Sequence, residues 1–238
     1  MIVKSSWLNH LIWGESMFKS VLLYTNKLKA MKRFYANVLG LDMKGSGSKY
    51  FTVKVGGTDL TFQEAETPSF YHFAINIPGN QFSIMKQWIR EKVPLNRSRG
   101  LTEIYYKSFG ADSMYFEDPA GNLVELIGRR NRDLFGPLTK EAFFNISEVA
   151  IISPYLYDVG EELQDSGLPL VKRAEVNPEK VNLIGKEDAY IILAPPGWQF
   201  KFSKKEATTH PLAITLKDGI HFRIDKEGRM KISEEEQD

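Results

Sequence analysis

The chain has 238 residues, of which 42% are hydrophobic and 26% charged, values typical of a globular protein with one sizeable domain or two small ones. Its 31 basic and 30 acidic residues give a formal net charge of +1, so there is no electrostatic reason to expect nucleic acid or an anionic membrane as a partner. There is no cysteine, which excludes disulfides and thiolate metal sites, and no apolar run approaches the roughly 20 residues that span a bilayer.

Residues 1–16, "MIVKSSWLNHLIWGES", form a leader that does not resemble a secretory signal. Asn9 and His10 interrupt its apolar stretch, and no small-residue cleavage site follows. A second methionine, Met17, stands directly before the first predicted strand. The leader is either an artefact of start-site choice or an ordered extra segment, and the sequence favours neither. We expect a cytoplasmic protein.

Two stretches between Phe18 and Gly128 share one layout, in which an apolar strand is followed by a turn, an amphipathic helix and three strands. In the second helix Phe82, Met85 and Ile89 fall on one face. Alternating residues bounded by Gly, Pro and Asp then indicate strands joined by hairpins. The sequence thus predicts two strand–helix–strand–strand–strand units, which we assign to a complete domain over residues 17–129.

The later part of the chain repeats the layout incompletely. Residues 130–143 are charged, and the neighbouring Arg129, Arg130 and Arg132 are typical of a solvated linker. A third unit starts near Phe144, but the fourth retains only short strands and no helix. We therefore assign residues 144–238 to a reduced second domain that packs on the first.

The order of "VLLYTNKLKAMKRFYANVLGL", "HFAINI" and "YFEDPAGNLVEL" closely resembles the vicinal oxygen chelate superfamily, which includes glyoxalase I, bleomycin-binding proteins, fosfomycin-resistance proteins and extradiol dioxygenases. The resemblance covers essentially all of residues 17–129 and is weaker beyond them. It implies an α+β fold in which paired βαβββ units form cup-shaped mixed sheets.

The resemblance also implies a divalent metal, Fe, Mn, Ni or Zn, held between paired units by the first strand of each unit and the last strand of the second. Carried onto this chain, the ligands are His72 and Glu125, and a metal explains why an apolar strand keeps a carboxylate. The remaining ligand position falls on Ser20, a poor ligand that implies weak or absent binding. Asp59 is an alternative third ligand or a turn residue. Ser20, His72 and Glu125 are predicted to converge on one cavity.

Tyr115 stands ten positions before Glu125, where the resemblance places a catalytic or substrate-contacting tyrosine. Substrate contacts are thus expected from Tyr115 and Ser20. The acid–base histidine of extradiol dioxygenases has no counterpart, so proton transfer needs another group. Glu148 lies near the ligand position of the third unit, but no later strand supplies a His and Glu pair there, so no metal site is expected within the second half.

Two functions follow from these residues. One is a metal-dependent enzyme of the glyoxalase or dioxygenase kind, acting on a small substrate with two adjacent oxygens. The other is a metal-free protein that binds a small apolar or aromatic molecule, as the bleomycin-resistance proteins do. His72, Glu125 and Tyr115 favour the first, and Ser20 favours the second. The expected partner is a small molecule in both cases, and a homodimer stays open.

Overall fold

The computed structural model describes residues 17–135, 138–173, 175–186 and 188–234, so the predicted leader 1–16 lies outside the described residues. Among the described residues, no helix is long and apolar enough to cross a membrane.

The first predicted unit is observed as strand β1, helix α1, which continues as a π-helical segment, and strands β2, β3 and β4. Their bounds are Phe18–Thr25, Leu28–Arg33 (π-helical over Phe34–Val38), Met43–Ser46, Tyr50–Val55 and Thr58–Glu64. The second unit consists of β5, a 3₁₀ turn, α2 and strands β6, β7 and β8. Their bounds are His72–Pro78, Gly79–Gln81, Phe82–Arg90, Glu103–Tyr106, Ala111–Glu117 and Leu123–Arg129. The predicted order of elements is therefore confirmed over this region.

The second half contains one shortened unit and one remnant. After a 3₁₀ turn at Lys140–Ala142, the third unit has β9, α3, β10 and β11, with bounds Asn145–Ile152, Leu156–Asp165, Asn182–Lys186 and Ala189–Ala194. The remnant has β12, β13 and β14, with bounds Leu212–Leu216, Ile220–Ile224 and Met230–Glu234. As predicted, no helix stands in the described part of this last unit.

The strands form two seven-stranded mixed sheets, and each sheet combines both halves of the chain. The first sheet has the order β14-β13-β12-β1-β4-β3-β2, and the second has the order β10-β11-β9-β5-β8-β7-β6. Strand β1 pairs with β12, and β5 pairs with β9. The first unit is thus joined to the last remnant, and the second unit to the third. The division into domains at residues 129 and 144 stays a prediction.

One face of each sheet carries the apolar core against the helices. In β1, Phe18, Val21 and Leu23 are fully buried, while the alternate residues are exposed or half-buried. The ring of Tyr35, from the π-helical segment, stacks on Phe62 of β4 with centroids 4.9 Å apart. This alternation leaves the opposite face of each sheet for polar and site residues.

A buried turn holds the start of β8 in place. Asp118 accepts hydrogen bonds from the backbone N–H groups of Ala120, Gly121 and Asn122 at 2.9 to 3.1 Å, and the Tyr35 hydroxyl donates to the same carboxylate at 2.9 Å. These bonds anchor the turn to the helical layer. This anchored turn sets the register of β8, the strand that carries Glu125.

Candidate active site

A cavity of about 230 Å³ lies on the open face of the second sheet. Polar and acidic groups occupy part of its wall, and aromatic and aliphatic side chains form the rest. Its lining residues include His72, Tyr106, Phe109, Tyr115, Glu125, Ile127, Glu148, Leu183, Ile192, Trp198, Gln199, Phe200 and Lys201. A mostly apolar cavity with a few polar groups is the usual form of a small-molecule site.

The strand register brings three potential metal ligands together. Ala74 of β5 pairs with Glu125 of β8 on one side and with Glu148 of β9 on the other. His72 lies two residues before Ala74 and therefore on the same face. Because Ala74 has only a methyl side chain, it leaves room above the sheet between the two carboxylates. Ligand atoms of His72, Glu125 and Glu148 lie within 4.8 Å of one another.

His72 presents a lone pair to this space. Its Nδ1 lies 3.1 Å from the Leu123 carbonyl oxygen, which can only accept, so Nδ1 carries the proton. Burial lowers the pKa of His72 to about 4, so the ring is neutral near pH 7. Nε2 is then unprotonated and lies 3.6 Å from Oε2 of Glu125. A backbone carbonyl on the far nitrogen is the usual arrangement for a metal-binding histidine.

The two carboxylates need a compensating positive charge. Burial and the neighbouring Glu148 carboxylate raise the pKa of Glu125 to about 8, although Ser113, Tyr115 and Arg129 act in the opposite direction. Burial also raises the pKa of Glu148, partly offset by the charge of Arg129. Without a cation the site therefore retains a proton on its carboxylates, and a bound divalent ion would replace that proton.

Arg129 corrects an expectation from the sequence, because it is buried rather than part of a solvated linker. Its side chain is 1% exposed. Nη2 lies 3.8 Å from Oε1 of Glu148, and Nε lies 3.6 Å from Oδ1 of Asp188. The reason is the register of β8, in which Glu125 and Arg129 share a face. Arg129 thus partly neutralises Glu148 from behind.

Tyr115 lies beside the acidic groups, as the sequence predicts from its spacing. It pairs with Glu125 across β7 and β8, and its hydroxyl is 2.9 Å from the hydroxyl of Tyr106 on β6. Burial and the charge of Glu125 raise the pKa of both tyrosines. Both hydroxyls therefore remain protonated near neutral pH. Because one of them donates to the other, one hydroxyl of the pair is free to donate into the cavity.

The sequence-based assignment of Ser20 to this cavity needs correction. Ser20 belongs to β1 of the first sheet, where it pairs with Asp59 and Thr215. Convergence required β1 to lie beside β5, but β12 takes that edge of β1, and β9 takes the corresponding edge of β5. The unit paired with the second unit is therefore the third, and its first strand supplies Glu148 where Ser20 was expected.

Asp59 also lies in the first sheet, away from His72 and Glu125. Its carboxylate accepts hydrogen bonds from Lys44 and from Lys54, the latter at 2.6 Å. Partial burial raises the pKa of Asp59, but these two lysines more than offset the effect and hold the pKa below its usual value. The side chain is thus used in surface ion pairs and does not line the cavity.

Sequence reasoning missed the hairpin that covers the cavity, residues 195–207 of the second half. Its backbone closes through hydrogen bonds between Trp198 and Ala207 at 2.8 Å and between Gly197 and Ala207 at 2.8 Å. The Phe200 ring lies 4.5 Å from the His72 ring, and Phe202 stacks on Tyr115 with centroids 4.7 Å apart. The aromatic content of "APPGWQFKF" was the available signal.

The residues present fit a divalent cation. The neutral imidazole offers an unprotonated nitrogen, two carboxylates face it, and the Ala74 methyl group leaves the intervening space open. Imidazole and carboxylate groups bind first-row divalent metals at about 2.0 to 2.2 Å. The His72–Glu125–Glu148 cluster is the only such group of three among the described residues.

Comparison with known proteins gives one match to a family model and many matches to solved structures. The family, described as toxoflavin-degrading enzyme, matches residues 146–197, which contain Glu148 and the third unit. No curated protein matches the sequence significantly. A solved structure of a candidate dioxygenase from Bacillus subtilis subsp. subtilis str. 168 has 15% identity and a TM-score of 0.62, and the alignment covers 94% of this chain and 86% of that one.

Shorter solved structures match about half of the chain. Lactoylglutathione lyase from Agrobacterium tumefaciens has 21% identity and a TM-score of 0.40, covering 46% of this chain and 90% of its own. The fosfomycin resistance protein from Listeria monocytogenes, solved with Mn(II), has 20% identity and a TM-score of 0.37, and the alignment covers 45% of this chain and 86% of that one. With its paired units, curled mixed sheets and full-length structural match, the chain has the vicinal oxygen chelate fold predicted from the sequence.

Proposed function

We propose that this protein is a metal-dependent enzyme that acts on a small, oxygen-bearing aromatic compound in the cavity of the second sheet. The observation that carries the proposal is the convergence of an unprotonated His72 nitrogen, the buried Glu125 carboxylate and the partly buried Glu148 carboxylate over the small side chain of Ala74. Buried carboxylates that lack cationic compensation are costly, and a divalent ion provides it.

The donor set favours a hard divalent ion such as Mn²⁺. One imidazole and two carboxylates form an oxygen-rich set, which suits Mn²⁺ and Mg²⁺ better than the softer metals. When bound, such an ion supplies Lewis acidity and a template for two adjacent substrate oxygens. The role of His72, Glu125 and Glu148 is to hold the ion, with Arg129 orienting the Glu148 carboxylate from behind.

The remaining cavity residues bind the substrate. Phe200, Trp198 and Phe109 provide flat apolar walls that suit an aromatic ring. Tyr115, next to Glu125, is placed to donate a hydrogen bond to a substrate oxygen when its own hydroxyl accepts from that of Tyr106, 2.9 Å away. Because the pKa of both tyrosines is raised, the pair acts as a hydrogen-bond donor, and proton transfer needs another group.

Toxoflavin is the first substrate to test, because the matched family is described by its degradation and the matched residues include Glu148. Purified protein loaded with Mn²⁺ is expected to consume toxoflavin or a simple catechol. Glu125→Gln and Glu148→Gln are expected to lose both metal binding and turnover. Failure of the wild-type protein to bind any divalent ion in calorimetry would rule the proposal out.

A metal-free binding protein is the second candidate, and the Arg129–Glu148 contact favours it. That ion pair, together with a proton on Glu125, already compensates the carboxylates without a metal. The cavity would then hold an aromatic ligand between Phe200 and Tyr115. In that case wild type and Glu125→Gln would bind aromatic ligands equally well in the presence of a chelator.

A further inference from the structure

Lys201 lies at the wall of the cavity that also contains the cluster of metal-ligand candidates. We propose that Lys201 determines specificity by selecting aromatic substrates that carry an anionic substituent remote from the metal-binding oxygens. This inference rests on the proposed function, because it assumes that the cavity holds the substrate with its oxygens at His72, Glu125 and Glu148.

The hairpin holds Lys201 in a defined place. Its neighbour Phe200 packs against His72, and its other neighbour Phe202 stacks on Tyr115. The Phe202 carbonyl also accepts a hydrogen bond from the Asn96 side chain at 2.8 Å. Further along the hairpin, the Lys205 ammonium lies 2.8 Å from Glu117 of β7. Lys201 is therefore fixed between two buried aromatic anchors, and its backbone does not move freely relative to the cavity.

The Lys201 ammonium faces an aromatic ring and not a carboxylate. Nζ lies 4.8 Å from the ring centroid of Tyr106, and no described Asp or Glu lies within ion-pair distance of it. Tyr106 in turn is hydrogen-bonded to Tyr115, which stands beside Glu125. The Tyr106 ring thus separates the ammonium from the carboxylates. A cation over a ring face keeps its charge available to a further anionic group.

The charges around the cavity favour an anionic ligand. Arg129 lies 3.6 Å from Asp188, which also pairs with Arg132 at 3.3 Å, and 3.8 Å from Glu148. A divalent ion would offset the carboxylates of Glu125 and Glu148. Lys201 then remains as the one uncompensated charge among the described residues that line the cavity. A carboxylate, phenolate or comparable anion on the distal edge of the ring would complete this balance.

The test compares two probes that differ in one charge, 3,4-dihydroxybenzoate and its neutral analogue 3,4-dihydroxybenzamide. Dissociation constants are measured by calorimetry with Mn²⁺-loaded wild type, Lys201→Met and Lys201→Arg. Lys204→Met serves as a matched control, because Lys204 is an exposed lysine of the same hairpin that does not line the cavity. The preference of each protein is the ratio of its dissociation constant for the benzamide to that for the benzoate. Dividing the wild-type ratio by the ratio of a variant removes intrinsic differences between the probes.

We expect wild type to prefer the benzoate by about fivefold relative to Lys201→Met, the size typical of a partly solvated ion pair. Lys201→Arg and Lys204→Met should keep the preference, and raising the salt from about 0.05 M to about 0.5 M should weaken it in wild type and in these two variants but not in Lys201→Met. An unchanged preference in Lys201→Met would overturn the inference and leave the proposed function intact. Absence of binding of both probes to wild type would instead reject the proposed function, and the inference with it.

Discussion

Glu148 is the residue whose removal most directly tests the site, because no other described residue of the second half joins the ligand cluster. Glu148→Gln keeps the side-chain volume but removes one of the two ligand charges and leaves Arg129, 3.8 Å away, to repel an incoming cation. Loss of partners that only support metal ligands costs about 10- to 100-fold in affinity, so loss of a ligand should cost at least about 100-fold.

The effect on stability follows from linkage. At an ion concentration about 100 times the wild-type Kd, Mn²⁺ stabilises the wild-type fold by about 2.7 kcal/mol, and a 100-fold weaker variant by only about 0.4 kcal/mol. For a chain of this size the corresponding rise in Tm falls from about 5–11 °C to about 1–2 °C. Calorimetric titration and thermal unfolding with and without Mn²⁺ measure both quantities.

The matched control is Ser20→His, which adds a strong ligand to the first sheet. Because Ser20 pairs with Asp59 and Thr215 and not with the strands of the cluster, this variant should bind Mn²⁺ no more tightly than wild type. Tighter binding by Ser20→His, or wild-type affinity in Glu148→Gln, would refute the assignment of Glu148 as the third ligand.

Four other predictions concern charge and stability. Metal affinity should rise about tenfold per pH unit up to about pH 8, because the ion must displace the proton of Glu125. Calorimetry in buffers of different ionisation enthalpy should detect the release of up to about one proton per bound ion. Asp118→Ala should lower the free energy of unfolding in urea by about 3 kcal/mol, since five donors lose their buried acceptor. Burial raises the pKa of Asp118 from 3.8 to about 6, so protonation of Asp118 stabilises the folded state. This contribution to the free energy of unfolding is fully present below pH 3.8 and is lost as the pH rises through 6. The decrease should be seen in wild type but not in Asp118→Asn. Arg129→Met should destabilise the metal-free protein by about 3 kcal/mol, and Mn²⁺ should restore part of this loss by compensating the charge of Glu148. Equal destabilisation with and without Mn²⁺ would contradict the placement of Arg129 beside the metal-ligand cluster.

Much of the architecture could be predicted from local patterns. The alternation in β1 and the helical spacing of Phe82, Met85 and Ile89 specify which face of each element is buried, and those residues are buried in the structure. The same holds for the turn at Asp118, whose Asp, Pro, Gly and Asn residues specify its backbone. Tyr115 and Glu125 pair directly because the turn between β7 and β8 sets the register of these strands, whereas the sequence indicated Tyr115 only through the family resemblance.

Strand pairing between distant units was decided by the tertiary structure alone. Nothing local in β1 or β5 states whether their free edges meet each other or meet strands more than 70 residues away, since any exposed edge offers the same backbone donors and acceptors. That choice placed Glu148 beside Glu125 and moved Ser20 to the other sheet. It also brought the hairpin with Phe200 and Lys201 over the cavity. The sequence by itself determined the units and two candidate ligands, His72 and Glu125; the partner that completes their site depended on which edges pair in the folded chain.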